Sequence, residues 1–284
     1  MDAKAHDGLW LLRIDDLDTP RVVKGADSQI FSTLEHFNLH WDGPVYYQSQ
    51  HQSDYAAALT ELEQQNLLYP CYCSRKTLSQ LNHGHSEAEA VYPGYCREHL
   101  SHTQAAHAVR LKTPPKAVCF TDGIQDYVNE HLATQHGDFI VKRKDQLFAY
   151  PFAVVIDDHL QGVNHVVRGV DLLSATCKQI YVHSCLNLTV PRYLHVPVIV
   201  NPDGSKLSKQ AFAPAVTQHN TSALMFHLLQ LLQQQPPVDL ASYPVAQQLA
   251  WAIAHWQPQR LHKVLSIPVP SENYSQIATY TLTS

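Results

Sequence analysis

Three cysteines stand close together, as Cys71-x-Cys73 and Tyr92-x-x-x-Cys96. Thiolates bind zinc tetrahedrally, and a pair of cysteines at this spacing clasps one ion when a later loop completes the shell. Three sulfurs leave one ligand position, for which Tyr92, Tyr95, His83, His85 and His99 are candidates. By chemistry alone histidine is the commoner ligand. The competing reading is three buried, inert cysteines. A structural ion is expected rather than a catalytic one, because the segment lacks a Glu or His arrangement for activating water.

Lys206-Leu207-Ser208-Lys209-Gln210 follows the turn sequence Asn201-Pro202-Asp203-Gly204. Lys206 and Lys209, with the Ser208 hydroxyl between them, can surround a polyphosphate and neutralise charge that develops as pyrophosphate leaves. Alone, such a string reads as a solvated basic loop. Its place at the end of an apolar strand, where α/β sheets carry ligand loops, favours phosphate. Arg168, in Val166-Val167-Arg168-Gly169-Val170-Asp171-Leu172-Leu173, stands at a strand-to-helix junction and suits bidentate capture of a substrate carboxylate. The alternative is a structural arginine paired with Asp157, Asp158 or Asp171. In Arg13-Ile14-Asp15-Asp16-Leu17-Asp18 the clustered carboxylates could hold a substrate ammonium, bind a metal, or cap the next helix.

These groups need elements to hold them. Large apolar side chains over 9–14 predict a buried strand, and helical spacing over 22–37 and 54–67 predicts two amphipathic helices. Strands are expected over 137–143 and 151–157, the latter a continuous apolar run of the kind buried on both faces of a parallel sheet. A helix over 174–186, a strand over 193–200 and a turn over 201–204 complete an α/β pattern. Beyond Gln210 the chain reads as helical and Gln-rich, interrupted by Pro236, Pro237 and Pro258, with a polar tail from Ser271.

The whole composition limits the options. The chain has 284 residues, 45% hydrophobic and 16% charged, enough apolar material for a core and too much for disorder. A formal charge of −5 means that any nucleic-acid contact must use a local basic patch. The 19 histidines are mostly scattered in polar stretches, which favours solvated imidazoles. The first residues carry no apolar signal region, and no apolar run approaches the ~20 residues of a membrane span. A cytoplasmic protein is expected, in which clustered cysteines bind metal more often than they form disulfides.

In their order, the strings resemble the catalytic core of class I glutamyl-tRNA synthetases. R-I-D-D-L-D-T-P-R at 13–21 is similar to the family's R-I-E-D-x-D-P-x-R, V-V-R-G-V-D-L-L to V-I-R-G-x-D-x-L, and K-L-S-K-Q to K-M-S-K-S. Within that family the nearer resemblance is to the short paralogues, the glutamyl-Q tRNA(Asp) synthetases, which attach glutamate to the queuosine base of tRNA(Asp). The cysteine cluster, G-D-F-I-V-K-R and A-Y-P-F-A-V-V-I-D-D-H-L-Q-G-V look like runs in that group. The part after Gln210 is short for the helical anticodon-binding domains of a full glutamyl-tRNA synthetase.

The resemblance implies an α/β Rossmann-like parallel sheet with an inserted zinc-bearing subdomain and a small helical C-terminal part. Residues 1–69 would be a partial catalytic half, 70–136 the zinc and acceptor-like insert, 137–214 the second catalytic half with the K-L-S-K-Q loop, and 215–284 the helical part. It implies Tyr92 as fourth ligand beside Cys71, Cys73 and Cys96, holding one structural zinc. Asp15 stands in place of the family's Glu, on the substrate ammonium and one methylene shorter, while Tyr150 and Arg168 line the glutamate pocket. Lys209, supported by Lys206 and Ser208, would contact ATP, with Mg²⁺ as co-substrate. The implied partners are L-glutamate, ATP and queuosine-bearing tRNA(Asp), with a monomer and no membrane.

The family opens with a strand and an H-I-G-H-type element before the R-I-E-D segment, and here Met1 stands shortly before Arg13. The expectation is that this chain adenylates weakly or is unstable, with 9–14 and 152–156 exposed where the first strand would lie. The alternatives are a discriminating glutamyl-tRNA synthetase that esterifies the tRNA 3′ end, and a zinc-bearing tRNA-binding remnant without activity.

Overall fold

The computed structural model describes residues 1–74, 76–78, 91–99, 105–207 and 221–269. Ser208 and Lys209, His83 and His85, and the tail from Ser271 lie outside the described residues.

The chain starts with a short helix α1 (Asp2–Ala5) and reaches β1 (Arg13–Ile14), with α2 (Ala26–His36) following. β2 (Tyr46–Tyr47) pairs parallel with β1 and leads into α3 (Gln52–Gln64). The strand expected over 9–14 is thus paired only at its end. Leu9 is 72% exposed and residues 10–14 are half-buried.

β3 (Leu68–Cys71), α4 (Tyr95–Glu98) and β4 (Ala108–Leu111) come next, then the hairpin β5 (Val118–Asp122) and β6 (Asp126–Glu130). After α5 (Leu132–Gln135), β7 (Phe139–Lys142) completes an antiparallel sheet in the order β3-β4-β7. β4 lies inside 70–136 and pairs with strands on both sides of that segment.

The run over 151–157 corrects the strand expected there, for it forms helix α6 (Tyr150–Leu160). Short apolar runs do not distinguish a two-sided strand from a buried helix. The deciding features are local and tertiary. Pro151 stands in the first turn, where the missing N–H costs nothing. Phe152 to Asp158 are all buried because α6 packs between α3 and α7 (Leu173–Cys185) and also touches β7. A helix apolar on every side belongs inside. Phe152, Ala153, Val154, Val155 and Ile156 are at most 5% exposed, which overturns the expectation that 152–156 would be uncovered. Tyr55, Leu62, Leu111, Val141, Cys177 and Val182 join them in the main core.

β8 (His165–Gly169) pairs parallel with β9 (Arg192–Val196), and β10 (Val198–Val200) pairs parallel with β11 (Ser266–Pro268). Among the described residues the architecture is therefore α/β with mixed pairing: parallel two-stranded pairs beside antiparallel ones, not one continuous parallel sheet. The expected strand over 193–200 is divided at Pro197, which has no N–H to donate. α8 (Thr221–Leu231) and α9 (Val245–Ala254) build a second core from Met225, Leu229, Leu249 and Ala252 with Phe37. No helix among the described residues is long and apolar enough to cross a membrane.

Candidate active site

β1 delivers Arg13 to the end of α6. Its Nη1 donates to Asp158 Oδ1 (2.7 Å) and Gln161 Oε1 (3.1 Å), and its Nε to Asp15 Oδ1 (3.0 Å). Burial opposes the Arg13 charge, but Asp158 and Asp15 outweigh it and raise its pKa. Burial pushes the carboxyls of Asp15 and Asp158 above their ordinary value, with Arg13 pulling the other way. Asp157, fully buried, accepts hydrogen bonds from Tyr55 Oη (2.6 Å), Gln48 Nε2 (2.6 Å) and Tyr46 Oη (3.0 Å). Three neutral donors satisfy this carboxylate without a cation.

The acidic cluster after β1 does not cap the next helical turn. Asp16 accepts from Ser49 N and Oγ, Asp18 pairs with Arg143 and Arg21, and no side chain caps the turn that begins at Thr19. Asp15 remains 45% exposed beside Arg13, open to a ligand.

Tyr150 opens α6. Burial pushes its phenol pKa up, and Arg168, Asp15, Arg13 and Asp158 all act on it electrostatically. Asp15 and Arg168, distant in sequence, are thus each near enough to Tyr150 to act on its phenol. Arg168, in β8, is not in an ion pair with Asp157, Asp158 or Asp171 among the described residues. Its Nε instead donates to His195 Nε2 (3.1 Å) and its Nη2 to Thr176 Oγ1 (2.8 Å) and Gln179 Oε1 (2.6 Å). No described residue accepts from Nη1. The bidentate fork expected for a substrate is half committed inside the protein, with Nη1 alone not taken up by a described residue.

Lys206 Nζ meets Asp171 Oδ2 at 2.7 Å, so the signature loop is anchored to the segment that follows Arg168. The turn before it closes through Gly204 N to Asn201 O (2.9 Å), as the sequence predicts. Asp171 also leans on Gly169, where a Cβ would strike its Oδ1.

Cys71, Cys73 and Cys96 form the second centre. Their Sγ atoms lie within 4.8 Å of one another and none is in a disulfide. Around a tetrahedral zinc with Zn–S near 2.3 Å, sulfurs sit about 3.8 Å apart; Cys73 and Cys96 stand at 3.4 Å. Tyr92 Oη lies 3.5 Å from Cys71 Sγ and accepts from Cys96 N (2.9 Å). Of the other candidate ligands, His99 Nδ1 faces the Tyr95 carbonyl (3.1 Å), its ring stacked on Tyr95. The Arg110 guanidinium covers the Tyr92 ring at 3.6 Å from its centroid. Three thiols and a phenol fit a thiophilic divalent ion.

Sequence reasoning weighed Asp157 only as a partner for Arg168 and missed its three donors, and it missed His195, Thr176 and Gln179 around Arg168. The donors Tyr46, Gln48 and Tyr55 carry no motif. His195 was hidden among 19 histidines; its one signal was its place inside an apolar strand.

A family model described as "tRNA synthetases class I (E and Q), catalytic domain" matches residues 1–233. A glutamyl-Q tRNA(Asp) synthetase from Pseudomonas fluorescens is 43% identical over 268 residues, 94% of this chain and 87% of that protein. Another of the same name from Pseudomonas aeruginosa is 41% identical over 94% of this chain and 89% of its own length. A glutamate tRNA ligase from Elizabethkingia meningosepticum superposes with TM-score 0.73 at 20% identity, over 97% of this chain and 63% of that one. The glutamate-tRNA synthetase of Elizabethkingia anophelis gives the same TM-score and identity, over 100% of this chain and 66% of that one. The chain thus spans less than two-thirds of those two structures, and at such identity the likeness concerns the fold.

Proposed function

The chain belongs to the class I tRNA synthetases of the E and Q group, in the glutamyl-Q tRNA(Asp) synthetase family, and from that premise we propose that it activates L-glutamate with ATP and Mg²⁺ and transfers it to the queuosine base of tRNA(Asp). A substrate carboxylate oxygen attacks the α-phosphorus of ATP, pyrophosphate leaves, and the modified base then attacks the mixed anhydride and releases AMP. The protein positions these groups and stabilises charge. Asp15 holds the substrate ammonium, Tyr150 lines the pocket, and Arg168 offers Nη1 to a carboxylate. Lys206, Ser208 and Lys209 act on the ATP phosphates.

One structural zinc would be held by Cys71, Cys73, Cys96 and Tyr92, which would tie the chain together around the cluster. We assign residues 1–69 and 137–214 to the catalytic halves, 70–136 to the insert and 215–284 to the helical part, in a monomeric cytoplasmic protein. The observation that carries the reading is that Asp15 stands exposed on Arg13, which is tied to Asp158 of the helix that Tyr150 opens, while Arg168 keeps a guanidinium nitrogen, Nη1, that no described residue takes up. That set suits an amino acid with a second carboxylate. The test is labelling of purified tRNA(Asp), with and without queuosine, by radioactive glutamate and ATP. Label should depend on queuosine, and Arg168→Ala should cut it about 10- to 100-fold, as for a lost charge-assisted hydrogen bond. Equal labelling of both tRNAs would overturn the proposal.

A further inference from the structure

Arg168 is oriented from a part of the chain that none of its neighbouring motifs contains. Asp122, at the end of β5, is fully buried with His195, and its Oδ2 lies 2.6 Å from His195 Nδ1. Its Oδ1 accepts from the backbone N–H of Gln125 (2.9 Å), Ile124 (3.0 Å) and His195 (3.2 Å). Burial alone would push this carboxyl up, but the His195 ring and the backbone donors outweigh it and hold it below its ordinary value. An ionised carboxylate only accepts, so Nδ1 carries the ring proton.

The other face of the ring follows from that. Nε2 stands 3.1 Å from Arg168 Nε, which is an obligatory donor. A proton on Nε2 would set N–H against N–H, so the hydrogen bond from Arg168 calls for the lone pair on Nε2. The hydrogen bond at one imidazole nitrogen decides the state of the other. Thr176 Oγ1 closes the arrangement, 3.1 Å from Nε2 and 2.8 Å from Arg168 Nη2.

The scaffold holds the ring from several directions. β8 and β9 place Arg168 directly opposite His195. The hairpin turn is seated on β9, with Gly123 N donating to Tyr193 O (2.9 Å) and Gln125 Nε2 to His195 O (3.0 Å). A Cβ at Gly123 would press on Leu194 at 3.2 Å.

We infer that His195, oriented by Asp122, is a positioning residue that fixes the Arg168 guanidinium so that Nη1 is the nitrogen presented to the glutamate carboxylate. The inference rests on the reading of Arg168 as the carboxylate-binding residue. It makes the β5–β6 hairpin, part of the 70–136 segment, a structural support of the amino-acid pocket.

The test measures L-glutamate affinity of the full chain by calorimetry, with a thermal melt of each variant. His195→Asn keeps an amide that can donate to Asp122 but offers Arg168 nothing; His195→Gln puts an amide oxygen near the former Nε2. Asp122→Asn reverses the proton preference of the ring and turns Nε2 into a donor facing Arg168. Expected are about tenfold weaker glutamate binding for H195N and D122N, most of the affinity retained in H195Q, and ATP affinity unchanged. Added to Arg168→Ala, H195N should cost nothing further, because its effect passes through the guanidinium. Glutamate affinity unchanged in H195N while R168A weakens it overturns the positioning role and leaves the Arg168 reading standing. Losses that add in the double variant also overturn it. R168A without effect removes the Arg168 reading itself. If H195N does not fold, D122N decides between the same outcomes.

Discussion

Arg168, the proposed carboxylate-binding residue, is held largely by groups of the protein itself. An arginine has five N–H donors in a rigid fork, and here Nε and Nη2 are taken up by His195, Thr176 and Gln179. Arg168 was legible because it stands in a contiguous string; Asp122 and His195 were not, because they lie 73 residues apart and meet only after folding. A second buried imidazole behaves differently. His183 in α7 is 1% exposed, and no described residue hydrogen-bonds either ring nitrogen. Burial lowers its pKa from 6.5 to about 4, with His159 adding to the effect. The unfolded chain therefore binds a proton that the folded one refuses between those values. His183 costs no stability above pH 6.5 and an increasing amount as pH falls toward 4. His183→Leu should flatten the acid side of the stability curve between pH 6.5 and 4, read by urea melts; an unchanged acid slope would show that other groups govern it.

At the scale of elements, the helices over the first part of the chain were readable to within a few residues from apolar spacing. α2 starts later than its pattern because Thr19–Arg21 turns first and Gly25, at φ 80°, provides its N-cap. α6 was misread because seven consecutive buried residues erase both periods. The antiparallel β3-β4-β7 sheet was not legible either, since its strands are brought together across the cysteine-rich segment. That sheet leads to a testable support of the cysteine cluster and its proposed zinc. Gly137, at φ 68°, lies against Tyr92, and a Cβ there would run into the Tyr92 carbonyl oxygen. Tyr92 N donates to His136 O (3.2 Å) at the same place. Gly137→Ala should destabilise the chain by about 1–3 kcal/mol, the usual cost of a strained backbone position. The same variant should release zinc faster to a chelator, because the backbone carrying Tyr92 must move. A G137A chain with unaltered melting and metal retention would contradict both the packing and the ligand assignment.

For the whole molecule, order mattered more than any single string. The acidic segment, the Arg168 strand and the lysine loop are separately weak, and their sequence along one chain identified the class I synthetase core that the family match bears out. What the order did not reveal is how the parts are joined. Asp2 in α1 is buried and accepts from Trp256 Nε1 (2.8 Å), with His165 of β8 at 3.2 Å, so the first residues, the strand that carries Arg168 and the segment after α9 meet at one carboxylate. β4 joins the cysteine segment to the strands on either side, and the β5–β6 hairpin reaches the Arg168 support. In the proposed function this assembly delivers glutamate to a modified base and not to the end of the tRNA. The most direct measurement is digestion of tRNA(Asp), charged by this chain with radioactive glutamate, to single nucleosides. Label is predicted on the queuosine nucleoside; label on the 3′-terminal adenosine would contradict the claim.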